Sequence, residues 1–227
     1  IGIAVNKSID EWTSLCEQLC KLNQYGPLGI YIHVSRGADI KRHHAYPEGV
    51  SPTIFMMAFE IPVPNVPDQK TAKGYSLLST EDLRWQRCHI KSTALLGNVM
   101  HYQQGHEANC NETLLYNNKL ELTEASSSNV YIVKDGVVIT PHLDNQILPG
   151  ITRDILLAIL REDGSIKVEE RVVTLEEAKN ADEIWISSSS KEIAPVTLLD
   201  GKIVGDGKVG SVWQKAATLY SNNKFNY

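Results

Sequence analysis

Three prolines within six residues, Pro62, Pro64 and Pro67, constrain this chain more than any other feature of its sequence. Proline fixes its own φ, has no N–H to donate and pushes the preceding residue out of the helical region. Such a stretch can lie neither inside a helix nor in a central strand. It predicts a linker, with a smaller domain over residues 1–66 and a larger one over residues 67–227.

In the smaller half, Ser8 and Glu11 have capping-box spacing, and Ile9, Trp12, Leu15, Cys16 and Leu19 recur at helical spacing until Asn23 and Gly26 stop the pattern. Two β-type runs follow, residues 28–35 and 53–60, joined by a polar connection that carries Arg42, His43 and His44. The larger half begins with a helix just beyond Lys91, built on Leu95, Leu96, Val99, Met100 and Gln103. Short strands come next, over residues 113–116, 120–122 and 130–133, the last turning at Asp135-Gly136 into 137–140. Gly150-Ile151-Thr152 opens an amphipathic helix that ends before Gly164, and Thr174 with Glu177 opens a shorter one ending near Ala181. Strands over 183–186, 196–199 and 202–204 and a helix over 212–220 complete the chain. Many short strands with a few helices predict an α+β fold rather than a doubly wound parallel sheet.

Composition narrows the partners. With 22 Lys and Arg against 27 Asp and Glu, the net charge is −5, so no basic surface is available for nucleic acid. The longest uncharged apolar runs, residues 53–59 and 155–160, fall far short of the roughly 20 residues that span a bilayer. The four cysteines, Cys16, Cys20, Cys88 and Cys110, form no CxxC pair, which argues against a structural zinc site or a disulfide framework and suits a reducing cytoplasm. The partner expected is a small molecule, with no metal.

Three segments could carry chemistry, although each has a plainer account. Lys91 follows Arg84, Arg87 and His89 at what reads as the edge of a strand, and a lysine held near cations and partly desolvated becomes a nucleophile for aldehydes. A solvated surface lysine fits the same residues. Glu124 stands between two predicted strands ahead of Ser126, Ser127, Ser128 and Asn129; it could equally be a turn residue. Gly150-Ile151-Thr152 and the run Ser187–Ser190 are anion-binding candidates, at a helix N-terminus and after a strand, though a cap and a polar turn explain them too. Together they supply what pyridoxal phosphate requires: a lysine for its aldehyde, a carboxylate for its ring nitrogen and a cup for its phosphate.

Arg87-Cys88-x-Ile90-Lys91-Ser92, Thr123-Glu124-x-Ser126-Ser127-Ser128-Asn129-Val130, Leu148-x-Gly150-Ile151-Thr152-Arg153 and Ser187-Ser188-Ser189-Ser190-x-Glu192-Ile193-x-Pro195-Val196 resemble the fold-type IV pyridoxal-phosphate aminotransferases, most closely their D-amino acid branch. The resemblance implies a two-domain α+β fold in which Lys91 holds the cofactor as a Schiff base and is the catalytic acid and base. It implies that Glu124 pairs with the ring nitrogen, Leu148 packs on the ring, and Ile151, Thr152, Ser188 and Ser189 bind the phosphate. Ser127 and Ser128 would line the substrate side. Arg42 and His44 would hold the substrate carboxylate, serving the neighbouring active site of a homodimer. The loop is one residue longer between Gly37 and Arg42 than the branch leads one to expect, which leaves His43 and His44 as alternatives.

The family also has, ahead of the position matching Ile1, a further stretch of the small domain with an arginine for the phosphate and a tyrosine for the substrate trap; an N-terminally truncated small domain is therefore expected. The activity implied is transfer of an amino group from a D-amino acid such as D-alanine to a 2-oxo acid. Branched-chain L-aminotransferases and 4-amino-4-deoxychorismate lyase share the lysine and the glutamate and stand as alternatives, as does a non-catalytic remnant of the fold.

Overall fold

A computed structural model describes residues 1–23, 26–63 and 66–227. The chain divides into two compact units, Ile1–Asn65 and Val66–Tyr227. Of the three prolines, Pro64 lies outside the described residues.

In the first unit the capping box forms as spelled: Glu11 N–H donates to Ser8 Oγ at 3.2 Å and Ser8 N–H to Glu11 Oε2 at 2.7 Å, opening α1 (Ile9–Asn23). Strands β1 (Leu28–Ser35) and β2 (Thr53–Glu60) pair antiparallel, from Leu28 opposite Glu60 to Ser35 opposite Thr53. Their connection is irregular. Within it the Arg36 guanidinium stacks on the Tyr46 ring, 3.6 Å from its centroid.

The second unit holds β3 (Tyr75–Glu81), α2 (Leu96–Glu107), β4 (Glu112–Tyr116), β5 (Leu122–Ala125), β6 (Asn129–Lys134), β7 (Val137–Thr140), α3 (Ile151–Asp163), β8 (Val168–Glu170), α4 (Leu175–Lys179), β9 (Glu183–Ser188), β10 (Glu192–Leu199), β11 (Lys202–Ile203) and α5 (Ser211–Asn223). One mixed sheet runs β5-β4-β3-β10-β9-β6-β7-β8, with β11 on β10. Alternation along its strands sorts side chains onto two faces. Val130, Ile132, Ile184 and Ile186 join Leu77, Leu114, Leu122 and Val196 in one buried cluster. That cluster draws on strands from β5 through β7, so the sheet curls around it. Tyr131, Val133 and Trp185 point the other way, onto Leu156, Leu157 and Leu160 of α3 and Trp213, Ala216 and Tyr220 of α5.

Several local expectations change. The strand expected over 183–186 runs on through Ser187 and Ser188, and the one expected over 196–199 begins at Glu192. The strand expected over 120–122 is displaced to β5, because Leu120 turns in the left-handed region at φ 59° and the Asn117 side chain accepts from the N–H groups of Lys119 and Glu121 to form the turn. Glu124 therefore sits within a strand, and the turn that follows is Ser126–Ser128. Lys91 is not at a strand edge: β3 ends at Glu81, and Lys91 lies exposed in the irregular segment before α2. Strands β3 and β8 had no expectation attached to them.

Candidate active site

The polar end of the second unit is assembled around Glu124. Burial pushes its carboxyl above the usual range, and the nearby Arg84 guanidinium opposes that rise. Its Oε1 accepts from Arg84 at 2.6 Å and its Oε2 accepts from the Leu148 N–H at 3.0 Å. On its other side Arg84 meets Asp82 with two parallel bonds, Nε to Oδ1 at 3.0 Å and NH2 to Oδ2 at 2.7 Å. The three side chains are 3% to 8% exposed. Two carboxylates face one guanidinium, so with both ionised this buried cluster carries one negative charge in excess.

Asn129 ties Leu148 to the rest. As the first residue of β6 it stands opposite Ser187 of β9, and its Nδ2 donates to the Leu148 carbonyl at 2.9 Å. Its Oδ1 leaves no room beside Gly150, where an added Cβ would come within 2.1 Å. Gly150 is the N-cap of α3 and, among the described residues, no side chain caps that end, so its first amides are left with the positive end of the helix dipole. Thr152 is buried there and Ile151 exposed. Ser187 is buried against the Tyr131 hydroxyl at 2.8 Å, whereas Ser188 is half-buried and Ser189 exposed.

The Ser126–Ser128 turn is fixed from behind by Glu112, which is fully buried. Ser127 Oγ donates to Glu112 Oε2 at 2.6 Å, Ser126 Oγ donates to Oε1, and the Asn98 side chain donates to the Ser126 carbonyl at 2.7 Å. Lys191 Nζ completes the group, 3.2 Å from Ser127 Oγ, 3.4 Å from Ser128 Oγ and 3.5 Å from Glu112 Oε2. The segment bearing Lys91 is held at three points of this region: Arg84 on Glu124, Cys88 N–H on the Asn145 carbonyl at 2.8 Å, and Asn98 on Ser126. Glu124, Leu148, Ile151, Thr152, Ser127, Ser128, Ser188 and Ser189 thus belong to one connected end of the unit. Arg42 and His44 belong to the first unit, exposed on the β1–β2 connection.

The Amino-transferase class IV family model matches residues 1–199, across both units. The chain belongs to the class IV aminotransferases. It is 38% identical to a D-alanine aminotransferase of Bacillus licheniformis over 223 residues, 98% of this chain and 77% of that one. It is 41% identical to a D-alanine aminotransferase of Staphylococcus epidermidis over 213 residues, 93% of this chain and 73% of that one. Among solved structures it resembles the holo, pyridoxal-phosphate form of the branched-chain amino acid aminotransferase from Thermobaculum terrenum, with a TM-score of 0.87 at 21% identity, covering 99% of this chain and 73% of that one. That last likeness concerns the fold.

As a class IV aminotransferase the protein is a pyridoxal-phosphate-dependent transaminase. The residues present fit the cofactor: a buried pair of carboxylates around one guanidinium suits a protonated ring nitrogen, and an α3 start without a side-chain cap, with the half-buried Ser188 and exposed Ser189 at the end of β9, suits a phosphate. Sequence reasoning about this class IV aminotransferase missed Asp82 and Arg84 as partners of Glu124, and Glu112 and Lys191 as the support of the serine turn. Sequence reading took Arg84 only as one of the cations near Lys91 and placed Glu124 between strands; once Glu124 is buried within β5 it needs a cation, and Arg84 is the one it has.

Proposed function

We propose that this enzyme transfers the amino group of a small D-amino acid, D-alanine or one close to it, to a 2-oxo acid. The observation that carries the reading is the buried Glu124, held at both oxygens and left with charge to spare, in a chain 38% to 41% identical to D-alanine aminotransferases. Pyridoxal phosphate supplies the electron sink that stabilises charge developing at the substrate Cα. Lys91 anchors the cofactor covalently through its amine and is the catalytic residue, its Nζ taking the proton from the substrate Cα and returning it as general acid.

Glu124 accepts the ring N–H and, being ionised, keeps that proton in place. Leu148 supplies an apolar wall for the ring. The amides of Ile151 and Thr152 and the hydroxyls of Ser188 and Ser189 bind the phosphate. Ser127 and Ser128 line the substrate side. In a homodimer, Arg42 and His44 hold the substrate carboxylate for the neighbouring subunit; an arginine fork grips both carboxylate oxygens and stays charged at any working pH. The division into a smaller domain over 1–66 and a cofactor-binding domain over 67–227 belongs to this reading, as does a cytoplasmic location.

The test is to reconstitute the enzyme with pyridoxal phosphate and assay D-alanine, L-leucine and aminodeoxychorismate in parallel, with 2-oxoglutarate as acceptor for the two amino acids. Pyruvate formed from D-alanine, a visible absorbance lost on borohydride reduction, and the label found on Lys91 are expected. Turnover of L-leucine alone, or pyruvate released from aminodeoxychorismate alone, would overturn the substrate assignment. Lys91→Ala is expected to lower kcat by at least about 10³-fold.

A further inference from the structure

The Arg84 guanidinium has its plane fixed by one carboxylate and its free arm spent on another. Nε and NH2 grip the two oxygens of Asp82, and the Arg84 backbone N–H donates to the same Oδ1 at 3.0 Å. Thr123 Oγ1, on the residue next to Glu124, donates to Asp82 Oδ2 at 2.8 Å. NH2 also reaches the Gln146 carbonyl at 3.3 Å, two residues before Leu148. With the fork so held, NH1 meets Glu124 Oε1 at one angle only, while the Leu148 amide fixes Oε2. A lysine has no planar fork with which to span two carboxylates in this way.

Charge makes the arrangement more than a brace. A carboxyl buried as Glu124 is would take up a proton in the absence of a cation, and a neutral carboxyl cannot balance a ring cation. Arg84 opposes this. Arg84 and Glu124 alone would cancel, leaving nothing for a cationic ligand; the Asp82 carboxylate restores one negative charge to the cluster. Among the described residues each oxygen of Glu124 accepts one hydrogen bond, and each has two lone pairs, so acceptor capacity remains for a further N–H.

We infer that Arg84 and Asp82 are positioning residues, Arg84 keeping Glu124 ionised and aimed while Asp82 holds the Arg84 fork and restores the negative charge of the cluster, and that together they set the protonation of the cofactor ring nitrogen without touching the cofactor. The inference rests on the proposed role of Glu124.

The experiment compares wild type, R84M, R84K and D82N, each reconstituted with pyridoxal phosphate labelled with nitrogen-15 in the ring. It reads the ring-nitrogen chemical shift, the visible absorbance, and kcat and KM for D-alanine. In R84M the shift is expected to move toward the unprotonated ring and kcat to fall about 10- to 100-fold, with KM within about threefold and attachment to Lys91 retained. D82N is expected to move both readouts in the same direction by less, because the whole guanidinium charge then falls on Glu124. R84K should lie between R84M and wild type. Should R84M fail to fold, D82N and R84K carry the same readouts with a cation still in the cluster. Variants that bind the cofactor with a wild-type ring-nitrogen shift, whatever their thermal stability, would overturn this inference alone. A wild-type enzyme that takes up no pyridoxal phosphate would overturn the functional reading, and this inference with it.

Discussion

Removing the Glu183 carboxylate should loosen the helix that backs the site. Glu183 begins β9 and is 9% exposed, and its two oxygens accept from three donors: Val212 N–H at 2.9 Å, Trp213 N–H at 2.8 Å and Trp185 Nε1 at 2.9 Å. Two of these are first-turn amides of α5, which have no partner within the helix, and a negative charge at that end also meets the positive pole of the helix dipole. Gly210, the N-cap, lies so close that an added Cβ would fall 1.8 Å from Glu183 Cδ, so the carboxylate has replaced a side-chain cap.

In E183A all three donors lose their acceptor at a cost of about 1–3 kcal/mol each. A water entering the space left behind recovers part of this. The net loss is expected to be about 3–5 kcal/mol, or roughly 10 °C in Tm for a domain of this size. E183Q, which keeps one accepting oxygen, should lose about half as much. Urea unfolding followed by circular dichroism measures both, and an unchanged m-value would assign the loss to the folded state. An E183A protein within about 1 kcal/mol of wild type at equal m would refute the reasoning, since it would mean that these donors are satisfied without Glu183.

Three further outcomes are expected. Gly150→Ala sets its Cβ against Asn129 Oδ1 and should break the Asn129–Leu148 bond, weakening pyridoxal phosphate binding by about tenfold in a titration of the apoenzyme while α3 remains helical. Burial tends to raise the Glu170 carboxyl, but its bonds to Arg161 and Arg153 outweigh this and hold it below its ordinary 4.5. The stability this contributes is present above that value and lost as pH falls through the lowered one, so the urea-measured difference between wild type and E170Q should shrink from neutral pH to about pH 3. Burial pushes the Cys88 thiol up to about 11, so at neutral pH iodoacetamide should label Cys16, Cys20 and Cys110 well before Cys88, as read by mass spectrometry of the native protein.

What could be read from sequence was local. The Ser8–Glu11 and Thr174–Glu177 boxes and the helix start after Gly150 form as spelled, because a cap is decided by residues within one turn. β1, β2 and β7 coincide with their expected spans, the first two as continuous β-type runs and the third set off by Asp135 and Gly136, both at positive φ in its turn. β3 gave no such signal. Tyr75-Ser76-Leu77-Leu78-Ser79-Thr80-Glu81 does not alternate, and it becomes a strand because β4 and β10 flank it in parallel, a pairing of residues more than 30 and 120 positions away. The site divides along the same line. Lys91, Glu124 and the serine runs stood out through motif spelling, whereas Arg84 reaches Glu124 across 40 residues and Lys191 reaches Ser127 across 64, so only the folded chain brings them together.

That division follows from how the polar end is built. Strands β5 and β6 reach the same end of the curled sheet, as does the close of β9, and the Ser126 carbonyl and both backbone groups of Leu148 there lie outside the ladders. The protein pairs them with side chains from elements far along the chain: Asn98 on the Ser126 carbonyl, Asn129 on the Leu148 carbonyl, Glu124 on the Leu148 amide. Among the described residues the first amides of α3 receive no such side-chain cap, although Asn129 crowds Gly150 at that end. A helix end left uncapped in a region otherwise so thoroughly paired is where an anion adds most. By the same reasoning, filling that end with a capping residue at 150 would stabilise α3 only by displacing Asn129, and the gain to the apoenzyme would be taken from its affinity for the phosphate.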